Sequence, residues 1–183
     1  MAKLRPVSPE DHIQGLEDAE VTLLEYGDYE CSYCGRAYSI VKRVQSHFGR
    51  RLRFVFRNFP LSEIHPHAES AAETAEFAGA GGKFWEMHDL LFENQQRLSE
   101  ILYLGLAEEL SLPPEALRQA LEEGKYKARV RADFRSGVRD GVNGTPTFFI
   151  NGKRHDGPFD YEALLPAIQE ETGQRGAQRM ERR

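Results

Sequence analysis

A chain of 183 residues suits one domain, or a compact core carrying an insertion, and is long enough to bury a real hydrophobic core without disulfide staples. Its residues are 40% apolar and 29% charged, and a net charge of -5 leaves no overall positive field for nucleic acid or anionic lipid, so neither is expected as a partner. The opening MAKLRPVSPEDHIQG lacks the apolar core of about 7 to 15 residues of a secretory signal, and no apolar run approaches the ~18 residues of a membrane span. The expectation is a soluble cytoplasmic protein, or a periplasmic one if a signal has been removed.

In chain order, the first strand signal is VTLLEY, Val21 to Tyr26, rich in β-formers and closed by Gly27. Shortly after it, CSYC holds both cysteines, Cys31 and Cys34. Ala37, Ile40, Val41, Val44 and Phe48 then recur at helical spacing until Gly49 stops the run. The pair therefore sits where a strand turns into a helix. Cys31 falls near the N-cap, facing the free N–H groups and positive dipole end of the first turn, and Cys34 lies one turn inside. This favours the Cys31 thiolate as attacker and leaves Cys34 as the resolving thiol. Glu30 adds an opposing negative charge, so the Cys31 pKa is expected in the range of roughly 5 to 7. Asp28 reads as a turn residue.

A lone C-x-x-C admits three readings: a catalytic dithiol, half of a metal site, or an incidental pair. Zinc normally takes four ligands, and the nearest further candidates are His65 and His67 in EIHPHAES. Their H-P-H spacing is too tight for the usual separation of about three to five residues, and they read as loop histidines.

The next strand signal is RLRFVFRNF, Arg51 to Phe59, which alternates apolar and basic positions. From Pro66 to about Asp140 the pattern is helical: HAESAAETAEFAGAGG, KFWEMHDLLFENQ, a stretch ending near Leu110, and PPEALRQALEEG, opened by Pro113 and Pro114 and stopped by Gly124. Tyr126, Val130, Phe134 and Val138 repeat every four residues and mark a last helix of this block. Phe84, Trp85, Leu90, Leu91 and Phe92 read as packing surface. Strand character returns at TFFI, and Asn151-Gly152 before Lys153 to His155 is a strong signal for a two-residue hairpin of type I′. A final helix follows Pro158 and Asp160 through Leu164, Leu165 and Ile168, and the arginine-rich tail from Gln174 reads as a frayed, solvated end.

This order, with CSYC opening the first core helix and GTPTFFING before the hairpin, resembles the DsbA-like family of thioredoxin-fold oxidoreductases, which insert a helical domain between the halves of the core. EYGDYECSYC, HPHAESAAETAEFA, GKFWEMHDLLFEN and GVNGTPTFFINGK carry the likeness. It implies an α/β thioredoxin fold with an all-helical insertion: residues 1–62 as the first half of the core, 63–140 as the insertion, 141–174 as the second half and 175–183 as a flexible tail. It also implies that Thr145-Pro146 is the cis-proline loop, facing the sulfurs and offering backbone groups to an extended substrate. Glu25, six residues before Cys31, stands where the family carries a buried acid; in phase with Val21 and Leu23, it is expected to point into the core, acquire a raised pKa and exchange a proton with Cys34.

The implied activity is thiol-disulfide exchange with protein or peptide thiols and disulfides, with no cofactor beyond the cysteines and with glutathione or a thioredoxin-type reductant as candidate electron donor. Ser32, Tyr33, Thr145 and Pro146 are the expected substrate-contacting residues. The pair between the cysteines is Ser32-Tyr33, where DsbA has Pro-His and thioredoxin Gly-Pro, and Thr145 stands where DsbA has valine, so the redox poise does not carry over. Two rivals share the fold: a glutathione-dependent transferase or isomerase of the kappa class, which generally has serine at the position of Cys31, and a metal-binding module using Cys31 and Cys34.

Overall fold

The computed structural model describes residues 4–181, and side chains for 4–173. A short strand β1 (His12–Gln14) precedes β2 (Val21–Gly27), helix α1 (Ser32–Phe48) and β3 (Leu52–Asn58). Five helices follow: α2 (Ala68–Ala80), α3 (Phe84–Glu93), α4 (Glu100–Glu109), α5 (Pro114–Glu123) and α6 (Lys127–Arg139). The chain then returns through β4 (Thr147–Ile150), β5 (Lys153–His155) and α7 (Tyr161–Glu181). The sheet runs β1-β3-β2-β4-β5; β2 and β3 are parallel, joined by α1, and the other pairs are antiparallel. This is the thioredoxin fold with a helical insertion between β3 and β4.

Strand β2 lies at the centre of the sheet and every one of its residues is buried. Val21 and Leu23 face a large apolar cluster that also takes in Cys34, Ala37, Val41, Val44 and Phe48 of α1. That cluster continues into the insertion through Ala71, Met87, Leu91 and Leu117, so core and insertion share one apolar interior. Leu24 and Tyr26 face a smaller cluster with Val55, Phe59 and Phe149. At the hairpin, Asn151 and Gly152 both take positive φ, 49° and 84°, as a type I′ turn requires.

Three features depart from the sequence reading. The edge strand β1 carries no alternation signal in its three residues, and forms because β3 offers it an antiparallel partner, Ile13 opposite Val55. Val138 is 54% exposed, although it continues the fourfold repeat of α6. Three steps of four residues overrun whole turns by ~120°, so the inward face becomes Val130, Asp133, Ser136 and Gly137 instead. The end read as frayed from Gln174 is helical in α7 as far as Glu181; residues 182 and 183 lie outside the described ones.

The basic position Arg57 of β3 is not solvated but fully buried. Its guanidinium donates to Asp11 through Nε (2.8 Å) and Nη2 (3.0 Å), to the carbonyls of Arg5 and Pro6 (both 3.1 Å) and to the Tyr26 hydroxyl (3.0 Å). Tyr26 in turn donates to Asp140 at 2.7 Å. One side chain thus ties the N-terminal segment to the central sheet and to the end of α6. Removing it leaves the buried Asp11 carboxylate with Arg5 as its remaining cation, at 2.7 Å, and takes a donor from Tyr26 and two carbonyls, so Arg57→Ala should cost on the order of 3 kcal/mol in urea unfolding. Asp11→Ala added to that variant should cost less than its own single effect predicts, because the partner charge has already gone.

Candidate active site

Helix α1 begins at Ser32 with Cys31 as its N-cap residue, in extended conformation at φ -70° and ψ 119°. The β2 strand delivers the chain to this point through Gly27, where a Cβ would collide with the Phe56 ring. Cys31 is 4% exposed and Cys34 is wholly buried, and both thiols are free. The two sulfurs therefore experience opposite environments within one helical turn. The Cys31 thiol is pulled down to about 5, first by the hydrogen bond from the Cys34 thiol, against the effect of burial. The Thr145 side chain and the N–H groups of Cys34 and Tyr33 pull in the same direction. The value lies at the low end of the expected range, and the Glu30 carboxylate is turned aside to accept the His67 N–H at 2.6 Å.

Cys34 is pushed well above the usual thiol range by burial, by its hydrogen bond to Cys31 and by the charge of Glu25. Glu25 itself is buried in phase with Val21 and Leu23, opposite Phe56 and Phe148 on the neighbouring strands. Its Oε1 has no hydrogen-bond partner among the described residues, and its carboxyl is pushed up to about 8 by burial and then by the charge of Cys31. An acid so placed is largely protonated at neutral pH while Cys31 is anionic.

The Thr145-Pro146 peptide is cis, and the Thr145 carbonyl accepts the Cys31 thiol at 3.4 Å. The loop preceding β4 thus meets the helix start of α1 across the sheet end. Ser32 and Tyr33 are exposed beside the sulfur, Tyr33 by 57%, with the Arg36 guanidinium 4.9 Å from its ring centre. All seven residues singled out from the sequence converge here.

Three residues were missed or undervalued. Asp28 is a turn residue, but a fully buried one: it accepts the Glu30 N–H at 2.8 Å and the Leu61 N–H at 2.9 Å, and its own N–H points at Cys34 Sγ at 3.4 Å. His65, read as a loop histidine, places Nδ1 2.7 Å from Asp28 Oδ2. Gln95, in a 3-10 turn after α3, donates through Nε2 to the carbonyls of Tyr29 (2.7 Å) and Cys31 (2.9 Å). Its amide covers Gly35, where a Cβ would strike it. The small residue directly after Cys34 is the only sequence signal for that approach.

A family model described as thioredoxin matches residues 7–170. The chain belongs to the thioredoxin family. Among solved structures, oxidised BdbD from Bacillus subtilis is 26% identical with a TM-score of 0.86, covering 94% of this chain and 98% of that one. A thioredoxin-like oxidoreductase from Silicibacter pomeroyi is 26% identical with a TM-score of 0.77, covering 89% and 92%. Wolbachia pipientis alpha-DsbA1 shares the fold at 18% identity, with a TM-score of 0.82 and coverage of 94% and 96%. The likeness in fold to BdbD and alpha-DsbA1 runs over nearly the whole of each chain. A curated relative, the Na(+)/H(+) antiporter NhaA 1 of Salinispora arenicola, is 44% identical over 164 residues, 89% of this chain but 25% of that protein. The chain spans about a quarter of the length of the curated relatives it matches.

Two measurements check this electrostatic arrangement. Thiolate absorbance of the reduced protein should show one thiol ionising near pH 5 and the other well above the usual thiol range, with Cys34→Ala moving the first upward. Glu25, at about 8 when folded against a model value of 4.5, binds its proton more tightly in the native state, so its contribution is intact below about 4.5 and lost as pH rises toward 8. Stability of the reduced protein should fall over that window. Glu25→Gln should flatten the fall and stabilise the reduced protein at pH 7 by on the order of 3 kcal/mol.

Proposed function

We propose that this chain is a thiol-disulfide oxidoreductase acting on protein or peptide substrates through Cys31 and Cys34. The observation that carries the reading is the asymmetry of the pair: an acidic thiol at the helix N-cap and a buried, weakly acidic one a turn behind it. The Cys31 thiolate attacks one sulfur of a substrate disulfide; that S–S bond breaks, a mixed disulfide forms, and the departing substrate sulfur takes up a proton. Capture of Cys31 removes the negative charge that adds to burial in holding the Glu25 carboxyl protonated. Glu25 then gives up its proton to solvent more readily, and the carboxylate so formed accepts the Cys34 proton. The Cys34 thiolate attacks Cys31 Sγ, expels the second substrate thiolate and closes the Cys31-Cys34 disulfide, so two electrons pass to the substrate. The reverse sequence oxidises a dithiol.

In this reading Thr145 and Pro146 receive the substrate backbone beside Cys31, with Ser32 and Tyr33 as exposed contact surface. Glutathione or a thioredoxin-type reductant returns the pair to the dithiol, and no cofactor is required. The likeness to the thioredoxin-like oxidoreductase from Silicibacter pomeroyi supports this chemistry. The ion exchange named in the curated relatives is not carried over, because this chain matches about a quarter of those proteins and its reactive groups are two thiols.

Purified protein should accelerate insulin reduction by dithiothreitol. Cys31→Ser should abolish the acceleration, and Cys34→Ser should accumulate mixed disulfides detectable by mass spectrometry. Full activity in Cys31→Ser would remove the proposed nucleophile.

A further inference from the structure

Ser32 and Tyr33 bring no positive charge to the dithiol, and the charged residues just ahead of Cys31 in sequence, Asp28 and Glu30, are acidic. Asp28 is the more consequential, since its side chain is wholly excluded from solvent. It is also locked into the turn that carries the sulfurs: its carbonyl accepts the Cys31 N–H at 3.2 Å, Oδ1 accepts the Glu30 N–H, and its N–H points at Cys34 Sγ. A buried carboxylate in that position would oppose a second negative charge at Cys31 unless a cation offset it. Its Oδ2 accepts the Leu61 N–H at 2.9 Å and meets the ring of His65, the charged partner, with Nδ1 at 2.7 Å and the side chain only 21% exposed. His65 comes from the loop between β3 and α2, so the approach to the insertion supplies what the Cys-x-x-Cys turn lacks.

We propose that His65 is a positioning residue of the dithiol, its imidazolium neutralising Asp28 so that the turn holds an anionic sulfur at Cys31. This rests on the oxidoreductase reading of the pair. The charged groups acting on the ring are Asp28, Cys31 and Glu30, all from the β2–α1 turn. Burial works against the charged ring, but the hydrogen bond and charge of Asp28, followed by the charges of Cys31 and Glu30, keep its pKa above the ordinary histidine value. The ring is therefore charged below that raised pKa, including where Cys31 ionises, and its support for the thiolate is lost as pH rises through it.

The test compares the Cys31 pKa, read from the pH dependence of iodoacetamide alkylation, in the full chain and its variants. His65→Gln keeps a hydrogen-bonding side chain without the charge and should raise the Cys31 pKa by about one unit. The Cys31-Cys34 disulfide should become less oxidising against glutathione, by up to about tenfold in the equilibrium constant. Adding Asp28→Asn should bring the pKa back toward the wild-type value. A wild-type pKa in His65→Gln, or a double variant as high as the single one, would overturn the proposal. An independent reading uses the unmutated protein: coupling is reciprocal, so the His65 pKa measured by NMR should fall once Cys31 is carbamidomethylated. An unchanged His65 pKa would equally overturn it. Neither reading requires turnover, so absent disulfide exchange alongside intact coupling would count against the functional reading and for the ion pair.

Discussion

Everything at this site follows from where α1 begins. A strand that ends at Gly27 and a helix that starts at Ser32 leave Cys31 at the one place where helix N–H groups are free, while helical geometry carries Cys34 inward to a wholly buried position. Two identical thiols then differ because one charge is stabilised and the other is desolvated. Each also acts on the other, since the Cys34 thiol is the foremost group favouring the Cys31 thiolate. The spacing of three residues is what permits both effects at once.

The turn before the helix has its own hydrogen bonds and is also secured from outside. Asp28 pins it to Leu61 and His65, Gln95 grips the Tyr29 and Cys31 carbonyls, and Glu30 accepts the His67 N–H. All of these partners lie beyond β3, in the insertion or on its approach. The helical insertion is thus a buttress for the dithiol turn as well as a cover for the apolar interior it shares with the core. On the opposite side, the cis Thr145-Pro146 peptide brings a carbonyl to Cys31 from the segment before β4.

Strand β2 separates two buried ionisable groups with different logic. On one face Glu25 has an unpartnered oxygen and is kept neutral, an arrangement suited to moving a proton. On the other, Arg57 from the neighbouring strand is saturated by Asp11, Tyr26 and two backbone carbonyls, an arrangement suited to holding the sheet to the N-terminal segment. Alternation along β2 and β3 keeps the two environments apart, with Glu25 opposite Phe56 and Tyr26 opposite Arg57 in the parallel register.

Much of this was legible in one dimension, because it depends on local periodicity and on the ends of elements. The strand-to-helix junction at CSYC, the phase of Glu25 with Val21 and Leu23, the asymmetry of the thiols and the Asn151-Gly152 hairpin all follow from residues close together in sequence. What depended on distant neighbours could not be read that way. β1 exists through its pairing with β3; Arg57 is buried because Asp11 and Asp140 come from segments 46 and 83 residues away; Val138 is exposed because of which face of α6 meets the sheet. His65 and Gln95 carry no local signature of their contacts with the dithiol turn, since hydrogen bonds across 37 and 64 residues form only where the fold has already brought backbone and side chain together. Local order in the chain determined which sulfur sits at the helix start and which lies a turn behind it, and tertiary packing decided which groups hold them in place.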